Sequence, residues 1–345
     1  MRTSVSAREF GHLPDGRVVH EYTIANGCGL QLRALDFGAI VTGLWAPDAA
    51  GDSANVVLGF DKLSDYVERN QAFGIIAGRY ANRIAGARFE LDGQEVRVDA
   101  NDFGNSLHGG SKGFGEQLWS GSLQERDADG RVSLLLRYTS ADGEMGFPGE
   151  LAVSVRYSLG PENDWRIDYE ARTSRPTVCN LTSHAYFNLA GGGSALDHEL
   201  TLHASRYTEV DAGGIPTENR SVAGSRYDFR AAKRVADATL DHNWLIDAPR
   251  DGKRHPAAQL MERGSGRVMD VSTSEPCLQL YAGKWLNGSL KGHRGEVYEQ
   301  GAGLCLETQH APDSPNRSGP DWPTTVLRPG EVYRTSTVYR FSVLA

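Results

Sequence analysis

Along this chain apolar and polar residues alternate far more often than they recur at the three-to-four spacing of a helix, and a period of two predicts strands. Phe89-Glu90-Leu91 and Val96-Arg97-Val98 flank the turn pair Asp92-Gly93 and predict a hairpin. Leu151 to Leu159, Trp165 to Ala171 and Val332 to Val343 read as further strands. In the last of these Tyr333, Thr335, Thr337, Tyr339, Phe341 and Val343 share the drier face, opposite Val332, Arg334, Ser336, Val338, Arg340 and Ser342. Helical pattern is confined to short pieces such as Asp61 to Asn70, and Asp129-Gly130, Asp142-Gly143 and Asp251-Gly252 mark turns. There is no βα alternation, no internal repeat and no linker rich in proline, glycine and serine. The pattern therefore predicts an all-β protein: a large antiparallel β-sandwich with few short helices, a single domain over residues 1–345, with one concave sheet face open.

Composition narrows the partners. Of 345 residues 39% are hydrophobic, enough for a sizeable core. The 36 basic against 44 acidic side chains give a net charge of -8, which removes the attraction nucleic-acid binders depend on. The N-terminal MRTSVSAREFGHLPDG holds no apolar run long enough for a leader or a membrane span, so the expectation is a cytoplasmic protein with no membrane partner. Cys28, Cys179, Cys277 and Cys305 are scattered and read as free, mostly buried thiols.

Chemistry concentrates in four stretches. If Asn180 to Phe187 is one strand, Asn180, Thr182, His184 and Tyr186 line one side. Gln279 lies between Cys277 and Tyr281, and Glu307 follows Leu304-Cys305-Leu306 on a strand of central character, where an unpaired carboxylate would be costly. The segment from Gly78 to Trp119 packs Asn82, Arg83, Asn101, Asn105 and His108 between glycines, with His108 ahead of Gly109-Gly110. For any single histidine or glutamate, an ordinary solvated strand face outweighs catalysis. Three strands with the same pattern, each with an aromatic or hydrogen-bonding neighbour, suit a sugar: aromatic faces for its C–H surface, polar groups for its hydroxyls. The glycine spacing matches no nucleotide motif. His198 and His203 lack a third ligand at metal-site spacing, so no metal is expected.

Five runs in fixed order, GRYANRIAGARFELDG, NSLHGG followed by GF and LW, SHAYFNLAGG, LDHNWLID and GLCLETQHAPDSPN, give the chain a resemblance to the aldose 1-epimerase (galactose mutarotase) family over nearly its whole length. The resemblance implies a mutarotase-like supersandwich whose curved face takes a free reducing sugar without a cofactor. It implies that His184 resembles the family's general acid and Glu307 its general base. Asn82, Arg83, His108, Asp241 and Gln279 match positions that contact the sugar. Ring opening needs a proton delivered to the ring oxygen and one removed from the anomeric hydroxyl. Reference pKa values of about 6.5 for histidine and about 4.3 for glutamate suit His184 and Glu307 to those tasks near neutrality. The rival readings are a glycoside hydrolase, which would need a second carboxylate such as Asp241, and a sugar-binding protein without catalysis. A phosphorylated substrate would need more cations than Arg83. The preferred aldose, and whether the protein is a monomer or homodimer, are not legible in the sequence.

Overall fold

The computed structural model describes residues 3–69 and 71–344. Strands dominate it, and among the described residues Leu63–Arg69 is the one α-helix. It falls inside the expected Asp61 to Asn70; Asn70 itself lies outside the described residues. No described helix is long and apolar enough to cross a membrane.

Three sheets carry the architecture. A nine-stranded antiparallel sheet runs through Ser120–Gln124, Val132–Ser140, Leu151–Leu159, Asp164–Thr173, Tyr333–Val343, Arg267–Thr273, His255–Met261, Glu199–Leu202 and Lys233–Arg234. A six-stranded sheet is ordered Tyr186–Phe187, Leu304–Gln309, Cys277–Tyr281, Asp241–Leu245, Arg206–Val210 and Pro216–Ser221. The third is a five-stranded meander in chain order from Thr3–His12 to Ser53–Asn55. Buried residues of all three, including Ile24, Leu44, Trp165, Leu306 and Tyr339, form one continuous apolar core. The sandwich predicted from the alternating pattern is therefore what forms.

Individual strands follow their pattern closely. Leu151–Leu159 has the expected bounds, Asp164–Thr173 encloses Trp165 to Ala171, and Arg88–Leu91 pairs with Gln94–Arg97 around Asp92-Gly93. In Tyr333–Val343 the predicted dry face is buried at Thr337, Tyr339 and Phe341, while Val343 emerges into solvent at the strand end. Asn180 to Phe187 departs from expectation: only Thr182–Ser183 and Tyr186–Phe187 are strands, and they pair with different partners, Ile76–Ala77 and Leu304–Gln309. The simple two-sided alternation fails there because the segment is buried on every side. Asn180 is tied to the backbone of Ala81 and His310.

Candidate active site

One wall of the site is set by strand register. Gln279 is paired with both Asn243 and Glu307, and Tyr281 with both Asp241 and Cys305. Residues opposite one another in a ladder share a face. Two rows, Asn243–Gln279–Glu307 and Asp241–Tyr281–Cys305, thus project from the same side of the six-stranded sheet. The other side of that sheet packs inward, with Thr308 Oγ1 2.6 Å from Thr337 Oγ1 and Tyr339 Oη donating to the Leu306 carbonyl.

His184 is carried over this wall by backbone bonds: its N–H donates to the Ile75 carbonyl at 2.9 Å and its carbonyl accepts from Gly74 N–H at 3.0 Å. Its Nε2 lies 3.6 Å from Glu307 Oε1, and its Nδ1 lies 3.5 Å from Cys305 Sγ. The ring meets His108 edge to face at 5.2 Å. His108 is locked to Asn82 twice, its own N–H donating to the Asn82 carbonyl and the Asn82 N–H donating to its Nδ1 at 3.2 Å. An acceptor at Nδ1 places the proton of the neutral ring on Nε2, so His108 offers a donor to a ligand. The loop depends on Gly109, whose φ is +89° and whose added Cβ would lie 2.0 Å from the Gly78 carbonyl oxygen. Arg83 is steadied by Asp102, with Nε to Oδ2 at 2.7 Å.

These groups enclose a pocket of about 270 Å³ lined by Asn82, Arg83, His108, His184, Asp241 and Glu307, with Tyr186, Tyr281 and Trp285 adding aromatic surface. Its size lies just below the about 300–1,000 Å³ typical for drug-sized ligands and suits a small polar molecule. A larger cleft of about 820 Å³ lies elsewhere, beside Arg8, Glu21, Trp45, Asp61 and His293. There Arg8 is paired with Glu21 and His293 with Asp61.

Burial governs the electrostatics. Desolvation pushes His184 down to about 4, only partly opposed by its own backbone and by Asp241. It drives Glu307, 2% exposed, well above the usual carboxylate range; the Asp241 charge adds to the rise and Arg83 opposes it. His108 is held well below the usual imidazole value by desolvation, then by His184 and Arg83. Reference values put a charged carboxylate and a titrating imidazole here. The folded environment reverses that order because both groups leave water for a confined site. Glu307 Oε2 and Gln279 Oε1 are buried and have no protein hydrogen-bond partner.

Of the seven candidate residues, six meet in this pocket. Gln279 stands one step back: it does not line the cavity but donates from Nε2 to Asp241 Oδ1 at 2.7 Å, orienting that carboxylate. Donor atoms of His108, His184 and Glu307 lie within 4.8 Å of one another, close enough to serve as metal ligands, a grouping that sequence spacing did not foretell. Trp285 also escaped the sequence reading. It is 63% exposed at the pocket, within the run Gly283-Lys284-Trp285-Leu286-Asn287-Gly288. A tryptophan in so turn-rich a run is out of place for a core residue, and that was the available signal.

Comparison with known proteins agrees with this architecture. The profile of the aldose 1-epimerase family matches residues 20–340. Galactose mutarotase of Pongo abelii is 39% identical over 350 residues, covering 99% of each chain, and aldose 1-epimerase of Escherichia coli K12 is 37% identical over 344 residues, covering 95% of this chain and 96% of its own. Among solved structures, an aldose epimerase homologue from C. elegans superposes with a TM-score of 0.86 at 30% identity, over 94% of this chain and 98% of that one. Galactose 1-epimerase from Lactobacillus acidophilus gives 0.87 at 26%, over 99% and 100%. The chain belongs to the aldose 1-epimerase family.

Proposed function

We propose that this enzyme interconverts the α- and β-anomers of a free aldohexose, with galactose and glucose as first substrates, by opening and reclosing the sugar ring through His184 and Glu307. The observation that carries this reading is an imidazole and a carboxylate 3.6 Å apart at a small polar pocket, with one carboxylate oxygen left without a protein partner. An anomeric hydroxyl is a donor of the kind that oxygen lacks. His184 protonates the ring oxygen while Glu307 takes the proton of the anomeric hydroxyl; the freed C1–C2 bond turns, and closure on the other carbonyl face reverses both transfers.

The pKa directions give this cycle a physical logic. After opening, His184 is neutral and Glu307 carries a proton, which is the state burial favours in the empty site. Ring opening therefore runs toward the protonation state the folded environment favours, while the charged pair that starts it must first form by passing the proton from Glu307 to His184. His108 Nε2–H and the Arg83 guanidinium hold sugar oxygens, Asp241 accepts from distal hydroxyls, and Trp285 and Tyr281 offer ring faces to the C–H surface. The galactose mutarotases among the relatives support galactose as a substrate.

Polarimetry of fresh α-galactose and α-glucose tests the reading. Wild type should hasten the approach to the equilibrium rotation, and His184→Asn and Glu307→Gln should each abolish most of that acceleration. Full activity in both folded variants would refute the assignment.

A further inference from the structure

We propose that the outer face of the nine-stranded sheet carries a second binding site, for a ligand bearing a diphosphate or two closely spaced phosphate groups. The site is a groove of about 620 Å³ whose charged lining consists of five arginines, Arg137, Arg156, Arg166, Arg254 and Arg334, against two carboxylates, Asp168 and Glu170. This excess of positive charge stands out on a chain whose net charge is -8.

Register explains how the cluster arises. Arg137, Ser154, Glu170 and Arg334 follow one another across four strands, and Leu135, Arg156, Asp168 and Ser336 form the next row. The two acids sit on one strand, Asp164–Thr173, and each already has an arginine: Arg166 holds Asp168 at 2.7 Å and Arg334 holds Glu170 at 3.1 Å. Arg137, Arg156 and Arg254 have no carboxylate within ion-pair distance among the described residues. Arg156 reaches only Gln124, and Arg254 reaches only the hydroxyl of Ser336, at 3.3 Å. Arg254 feels desolvation and then the Arg166 charge, both of which disfavour its own cation, with Asp168 opposing them. An anion entering here would relieve that repulsion.

The geometry selects the ligand class. Arg156 and Ser336, where Arg254 lands, are two strands apart, about 10 Å at a strand spacing of about 4.8 Å. Guanidinium groups anchored on either side of Asp164–Thr173 are bridged with less side-chain movement by a diphosphate, whose oxygens sit on two phosphorus centres, than by a single phosphate. Guanidinium forks match phosphate oxygens two at a time, and Ser154 and Ser336 in the same rows add hydroxyl donors. Arg137 and Arg156 stand on the sheet and Arg254 in the loop that precedes His255–Met261. The site is separate from the sugar pocket and does not depend on the reading given for it.

The probe is inorganic pyrophosphate, with orthophosphate and poly-L-glutamate as comparisons, followed by calorimetry and by thermal shift at matched ionic strength. Pyrophosphate should bind at least about tenfold more tightly than orthophosphate. The triple variant Arg137→Gln, Arg156→Gln, Arg254→Gln should lose at least about tenfold of that affinity while keeping wild-type mutarotation of galactose. A second triple variant with lysine at the same positions keeps the charge and should retain part of the binding, which separates charge from misfolding. Absence of pyrophosphate binding, equal binding by the glutamine variant, or tighter binding of poly-L-glutamate would each overturn the proposal.

Discussion

At the residue scale the protonation of two side chains decides the chemistry. Glu307→Gln preserves shape but cannot take up a proton, so kcat should fall by about 10²–10⁴ while galactose binding, read by tryptophan fluorescence, changes little. Loss of binding in step with kcat would point to a structural role instead. The pH profile is the sharper test. The working pair carries one proton between them, so activity should fall on the acid side when His184 takes up a second and on the alkaline side when the last proton leaves Glu307. Reference pKa values would set the two limbs the other way round. With desolvation holding His184 near 4 and Glu307 well above the carboxylate range, log kcat/KM should stay level well below pH 6.5 and drop only as pH nears about 4. An alkaline limb centred near 6.5, where an unperturbed His184 would lose its proton, would contradict the burial argument.

At the element scale the site depends on register and on one tight loop. Three adjacent strands present Asp241, Gln279 and Glu307 on one face, so a slip of one residue in Leu304–Gln309 would exchange Glu307 for Leu306 or Thr308. The loop after His108 is equally constrained. Gly109→Ala should cost about 1–2 kcal/mol for its left-handed backbone alone, with more for the overlap at the Gly78 carbonyl, and should raise KM by displacing His108. Urea denaturation and sugar-dependence curves check the two effects, and an unchanged midpoint would mean the loop relaxes freely. The same elements show how far sequence reasoning reaches. Strands with one wet face, such as Leu151–Leu159 and Tyr333–Val343, announce themselves because exposure imposes a period of two. Leu304–Gln309 is buried at every position and shows no such period, so Glu307 stood out only as a carboxylate among leucines. Asn180 to Phe187 misled because local alternation cannot reveal that two neighbouring dipeptides pair with different partners. Gln279 is expected to touch the sugar; that it also donates to Asp241, 38 residues away, depends on strand pairing that local pattern does not show.

At the scale of the whole molecule the buried histidines couple folding to pH. His198 is fully buried, its Nε2 accepts the Leu189 N–H at 2.8 Å, its Nδ1 has no protein partner, and desolvation pushes it down to about 4. Unfolded, it would titrate near 6.5, so between about pH 6.5 and 4 the unfolded chain binds a proton that the folded chain refuses. Stability is therefore present above pH 6.5 and is lost as pH falls through about 4. His184 acts in the same direction. Glu307 acts oppositely: its raised folded pKa contributes stability at low pH that is lost as pH rises. Because these effects overlap, the pH dependence of wild type alone cannot assign them, but a difference can. His198→Gln lies outside the sugar pocket and removes one histidine from the balance. Whatever its constant effect on packing, its stability relative to wild type should improve by roughly 2–3 kcal/mol between pH 7.5 and pH 4.5. Urea unfolding at the two pH values gives that quantity directly, and parallel pH dependences for variant and wild type would show that His198 takes up its proton in the folded protein without penalty.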